Sequence, residues 1–355
     1  MFNPQRLILA RKRRRVTARA LATAIGVSPI TISRLENGAN EPEDHTVNAL
    51  ATALDFPLAF FFAEDVDELP AGAASFRSLS SMSAKERDAA LSAGAIAYLF
   101  HDWVAKRFNL PEGDIPDVRE DANPEGAARI VRAQWGLGEQ PISNMVRLLE
   151  SKGIRVFSLC EDTKNVDAFS CWRGDRPFVF LNTFKSTERS RFDAAHELGH
   201  LVLHRHGAPQ DSRQAESEAD KFASAFLMPA DDVMSRIRYV PELDSLVSYK
   251  RRWGVSVAAL NYRLHKLGIV SEWQNRSLNV ELSSRGYRRQ EPDGLPPESS
   301  ALWPQIFTAL WQDRITRQQV AEQLHVPQAE LDMILRHLSE PPLGGSDASG
   351  TLCLV

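Results

Sequence analysis

The chain has 355 residues, 43% hydrophobic and 25% charged, with a net charge of −4, an ordinary balance for a protein of two or three domains with buried cores. It contains no run of the roughly 18 apolar residues that a membrane-spanning helix needs, and Arg11 to Arg15 interrupt any apolar stretch of the kind a signal peptide requires. Three scattered cysteines, Cys160, Cys171 and Cys353, make neither a disulfide framework nor a CxxC metal knuckle, so we expect a reducing, cytoplasmic setting with Cys160 and Cys171 as small core residues.

Charge is uneven along the chain. Residues 1–40 carry Arg6, Arg11, Lys12, Arg13, Arg14, Arg15, Arg19 and Arg34 against Glu36 alone, which suggests a basic module for a polyanion. Residues 6–15 read as a helix. Thr17 can cap a second helix carrying Leu21, Ala24 and Ile25, and Gly26 supplies a left-handed turn residue. Ser28 then caps a third helix with Pro29 at its tolerated first position, and Asn37-Gly38 ends it. A fourth helix runs over 44–54. Two short helices joined through Gly form a helix-turn-helix, whose second helix enters the major groove.

The stretch VTARALATAIGVSPITISRLENGANEP resembles the DNA-binding domain of Xre/Cro-type phage repressors, over residues 4–62. The resemblance implies that Pro29, Ile30, Ser33 and Arg34 face bases and Asn37 a phosphate of a double-stranded operator. It also implies a homodimer, because such domains read paired half-sites. Ala18 stands where the family commonly has Gln. Since Pro29 and Ile30 cannot hydrogen-bond through their side chains, direct readout rests on Ser33 and Arg34.

Residues 63–75 read as a linker. Helices are expected over 85–108, 125–135 and 143–152. Strand-like runs follow at 154–159, 168–172 and 177–182, and the turn Arg173-Gly174-Asp175 suits a hairpin between the last two.

The sequence His196-Glu197-Leu198-Gly199-His200 is an HExxH motif. On a helix it sets two imidazoles one turn apart, able to reach one zinc ion, with Glu197 beside them as a base rather than a ligand. The apolar residues around it make this a buried helix. His204 lies eight residues from His196, roughly 12 Å along the axis, too far for both to bind one ion, so His204 and His206 read as supporting or structural. A helix over 211–227 carries Glu216, Glu218 and Asp220. Glu216 and Asp220 share a face, whereas Glu218 points about 160° away from Asp220. A ligand Glu216, with Asp220 holding a ligand histidine in its tautomer, suits this spacing; an acidic solvated face is the plain alternative.

The combination RFDAAHELGHLVLH and ESEADKFASAFLMP resembles the ImmA/IrrE metallo-endopeptidases, over roughly residues 127–237. That likeness implies a gluzincin-like core in which His196, His200 and Glu216 bind Zn2+ and Glu197 is the general base. It further implies a protein substrate, a repressor or antitoxin that is inactivated by cleavage. A strand such as 178–182, if it edges the cleft, could hold an extended substrate by β-augmentation.

Beyond residue 250, a Gly-Val-Ser turn precedes another amphipathic helix, and residues 315–335 track the N-terminal unit at a constant offset of 299, with Thr316, Ala321 and Val326 over Thr17, Ala22 and Val27. His325 replaces the turn glycine, and packing or dimer contact is the role expected of this second unit. Trp303, Phe307 and Trp311 read as a core stripe. The expected fold class is α+β, mainly α. It comprises an all-α helix-turn-helix domain (1–65), a helical linker region (66–125), a peptidase domain with a small sheet and the HExxH helix (126–238), a helical, helix-turn-helix-like region (239–338) and a mobile tail (339–355). Two functions compete: a DNA-bound regulator with a working zinc endopeptidase, and a transcription factor whose peptidase-like domain senses a metal or metabolite without cleaving.

Overall fold

A computed structural model describes residues 1–69, 83–118, 123–159, 168–206, 211–239 and 241–339. Sixteen α-helices and one three-stranded sheet occur among the described residues. Cys160, Cys353, the expected turn at 207–209, residues 70–75 of the expected linker and residues 340–355 of the expected tail lie outside them.

The first four helices are α1 (Pro4–Arg13), α2 (Ala18–Ile25), α3 (Pro29–Glu36) and α4 (Asp44–Leu54). Each boundary has a local cause. Asn3 accepts the N–H groups of Gln5 and Arg6, Thr17 that of Ala20, and Ser28 that of Thr31, so orphan donors at three helix starts are satisfied. Gly26 adopts φ +75° at the end of α2, a conformation that costs other residues about 1–2 kcal/mol. Leu7, Leu21, Ile32, Leu35, Leu50 and Phe60 fill the small core.

The long helix α5 (Ala84–Ala105) starts with a reciprocal Ser83–Glu86 cap. It is followed by α6 (Pro124–Gln134), α7 (Met145–Ser151), β1 (Arg155–Ser158), β2 (Ala168–Arg173) and β3 (Arg176–Leu181). The sheet order is β1-β3-β2, with β3 parallel to β1 and antiparallel to β2. Side-chain alternation divides its two faces. Tyr98, Phe100 and His101 of α5 pack on Phe157 and Phe178 on one face. The hydroxyl of Ser170 meets Glu197 on the other. Glu197 belongs to α8 (Thr187–Leu203), which is covered in turn by α9 (Ser212–Leu227).

The remaining helices are α10 (Ala230–Arg236), α11 (Leu243–Trp253), α12 (Val257–Lys266), α13 (Glu272–Ser284), α14 (Leu302–Gln312), α15 (Arg317–Leu324) and α16 (Gln328–Ile334). Trp303 of α14 stacks near Phe157 and donates its indole N–H to the Val156 carbonyl at 2.9 Å, covering the outer edge of β1.

The helical region expected over 66–125 contains α5, which packs into the core with Val104 buried. Three expectations are corrected. Residues 63–69 of the expected linker are docked on the fold, since Arg6 donates to the Glu64 carbonyl and Asp67 pairs with Arg173. The strand at 178–182 does not edge a cleft: β3 is central, and among the described residues β2 forms the edge on the side of α8. The tryptophan stripe splits, with Trp303 buried and Trp311 70% exposed, because eight residues turn a helix about 80° past two full revolutions.

The basic cluster is partly paired within the fold. Arg6 and Arg13 are buried, Arg11 pairs with Glu36 at 2.5 Å, and Arg14 pairs with Asp55 and Glu330. Asp55 and Glu330 thus offset part of the N-terminal charge excess within the fold. No helix among the described residues is long and apolar enough to cross a membrane.

Candidate metal centre and nucleic-acid interface

Helix α8 presents His196 and His200 one turn apart, and α9 crosses it closely enough to bring in Glu216. Gly199 permits that approach: a Cβ there would lie 3.1 Å from the Phe222 ring and 3.2 Å from Ala219 Cα. One ligand atom from each of His196, His200 and Glu216 lies within 4.8 Å of the others. His196 Nε2 is 3.1 Å from His200 Nε2, and the Glu216 oxygens are 3.6 Å and 3.7 Å from the two nitrogens. Tetrahedral donors at zinc-ligand bond lengths are about 3.4 Å apart, so this donor set fits zinc with one position left for a reactant.

The hydrogen bonds behind the histidines assign their tautomers. Asp220 can only accept, so His196 Nδ1–H donates to it at 2.8 Å and the Nε2 lone pair faces the site. His200 Nδ1 lies 3.0 Å from His204 Nδ1, and His204 Nε2 lies 3.1 Å from Glu218. With Glu218 accepting from His204 Nε2–H, His204 Nδ1 accepts from His200 Nδ1–H, and the His200 Nε2 lone pair also turns to the site. Burial, then the charges of His196 and His204, press the His200 pKa far down and keep the ring neutral. Burial opposes charge on His196, but its hydrogen bonds to Asp220 and Glu216 and the charge of Glu197 prevail, raising its pKa to about 10. The local field thus favours a cation.

Glu197 is 2% exposed, and its Oε2 accepts the Ser170 hydroxyl at 2.6 Å. Residue Ser170 and the His204–Glu218 relay were not picked out from sequence. His204 at i+4 from His200 was the available signal for the relay; the tie between Ser170 and Glu197 spans separate elements and left none. His206 lies apart, paired with Asp117 at the surface.

On the N-terminal unit, Pro29, Ile30, Ser33, Arg34 and Asn37 are all exposed along α3, Ile30 at 64%. Ile32 and Leu35 on the opposite side anchor the helix in the core. The face proposed to meet bases is therefore free of internal packing, and Asn37 caps the helix end.

Residues 7–61 match the helix-turn-helix family, and residues 149–265 match the IrrE N-terminal-like domain, a peptidase family. A search of curated proteins found no match. A transcription-regulator organisation follows from that pairing. The chain carries an N-terminal helix-turn-helix DNA-binding domain of the Xre type, followed by an ImmA/IrrE-like peptidase-family domain.

Proposed function

We propose that this protein is a cytoplasmic, operator-bound transcription regulator, acting as a homodimer, whose zinc-dependent endopeptidase domain hydrolyses a peptide bond in a partner repressor or antitoxin. The observation that carries this reading is the convergence of the His196, His200 and Glu216 donors at tetrahedral spacing beside the buried Glu197 carboxylate. Zinc held by those three residues would supply Lewis acidity toward a water molecule and a peptide carbonyl. Glu197, steadied by Ser170, takes the proton from the attacking water and returns it to the leaving amine. Asp220 and the His204–Glu218 pair keep the ligand nitrogens aimed. An extended substrate segment adding to the outer edge of β2 would lie alongside α8, with main-chain hydrogen bonds fixing its register.

On the DNA-binding unit, Ser33 and Arg34 read base edges, Pro29 and Ile30 make apolar contact, and Asn37 meets a phosphate. The test compares Glu197→Gln, deletion and wild-type strains by proteome and transcript. The substitution keeps the donor set and α3 and removes only the base. If catalysis is the function, Glu197→Gln matches the deletion and one regulator accumulates in both. If Glu197→Gln matches wild type, the centre is a sensor and cleavage is refuted.

A further inference from the structure

A second pocket lies on the opposite face of the sheet from the metal centre. It has a volume of about 430 Å³ and is bounded by the end of α5, the loop at 108–113 and the starts of β1 and β3. Its deep wall holds His101, 1% exposed, and Arg155, 5% exposed. Both ring nitrogens of His101, and Nε and Nη1 of Arg155, are buried without a hydrogen-bond partner among the described residues. The remaining Arg155 nitrogen donates to the Pro111 carbonyl at 2.7 Å. Four unpartnered nitrogens on two residues that line one cavity are costly to bury unless something completes them.

The acids nearby do not: Glu150, whose charge acts on Arg155, accepts instead from the Ser300 hydroxyl and the Ala301 and Leu302 N–H groups. Asp102 is taken by two nitrogens of Arg173 at 2.8 Å each. Asp175, 97% exposed, turns to Arg205 at 3.2 Å. Glu112 is exposed at the rim, where solvent screens it. Arg176 adds a second guanidinium at the mouth, with its side chain 60% exposed and only a 4.0 Å contact to Asp102. The frame is already formed: Phe178 sets its ring 5.3 Å from His101, and the loop is tied down by Asp114 N–H to the Lys152 carbonyl at 3.0 Å. Burial and then the Arg155 charge push the His101 pKa down to about 3, and burial lowers that of Arg155 to about 10.

We propose that this pocket binds the oxyanion of a small molecule, a carboxylate or phosphate group, through His101, Arg155 and Arg176. An Arg fork presents paired donors to either group, and the cavity is of metabolite size. The site is separate from the peptidase chemistry, so its fate does not depend on cleavage.

The test is calorimetric titration of the full chain with potassium phosphate and with succinate, alongside potassium chloride at equal ionic strength. Saturable binding of phosphate alone identifies a phosphate ligand, and of succinate alone a carboxylate; either supports the site. No binding, or heats that chloride reproduces, overturns it. Arg155→Met should weaken binding at least about tenfold without lowering the melting temperature of the unliganded protein. Arg176→Gln, at an exposed position, should weaken it by about threefold or more. If Arg155→Met fails to fold, Arg176→Gln decides: wild-type affinity in that variant overturns the proposal.

Discussion

The α2–α3 and α15–α16 units share a constant offset of 299 residues and much of their local structure. Thr17 and Thr316 each cap the first helix, a left-handed residue ends it, and Val27 and Val326 follow. Their outer faces differ. In the first unit, Pro29, Ile30, Ser33 and Arg34 face solvent. In the second, Gln328 and Ala329 are exposed too, but Asp332 and Met333 are half-buried and Glu330, 0% exposed, accepts Arg13 at 2.6 Å and Arg14. Gln323 receives the Trp103 indole N–H at 3.0 Å and Arg107 at 3.1 Å. One supersecondary pattern thus leaves an exposed face in one place and supports a clamp in another. The clamping residues, Gln323 and Glu330, lie on the two helices either side of the turn, not in it.

Breaking the clamp gives the largest expected effect. Glu330→Ala leaves two guanidinium groups facing a buried void and should cost about 3–5 kcal/mol, read as a lowered urea midpoint. A smaller loss, under about 1 kcal/mol, would place Arg13 and Arg14 in water after rearrangement. On the reading face, Arg34→Ala should weaken binding to a selected operator by about 1–3 kcal/mol at fixed salt. Met333→Ala, at the same place in the second unit, should leave that affinity unchanged; fluorescence anisotropy separates the two. The turns are predicted to respond in opposite directions. Gly26 has φ +75° with nothing within 4 Å of an added Cβ, so Gly26→Ala isolates backbone strain and should cost about 1–2 kcal/mol by thermal melting. Exposed His325 holds φ +56° without being glycine. His325→Gly relieves that strain but frees the unfolded chain, leaving a net stabilisation below about 1 kcal/mol.

What could be read from the sequence was what a short window contains. Thr17, Gly26 and Ser28 mark α2, the turn and α3 because caps and left-handed residues act over three or four positions. HExxH places two histidines on one helix face for the same reason, and Glu216 with Asp220 sits one turn apart on the next helix. Contacts between distant segments were out of reach. The central place of β3 depends on a crossover, the Ser170–Glu197 bond joins a strand to a helix, and Glu218 meets His204 only because α9 is pressed onto α8 at Gly199. The use made of single cations in the basic cluster was out of reach for the same reason: Arg13 and Glu330 are 317 residues apart in sequence, so a tally of local charge counts as available a cation that the fold has paired.

That long span also sets an order of events. The helix-turn-helix unit closes through contacts up to 62 residues apart in sequence, which bring little loop entropy, whereas the tie between Arg13 and Glu330 spans 317 residues. A growing polypeptide therefore holds Arg13 without its Glu330 partner, and Arg14 with only its Leu54 and Asp55 contacts, until α16 arrives. Polyanions would hold such incomplete chains more tightly and less selectively than mature ones, so arrival of α16 removes a nonspecific grip as well as adding stability.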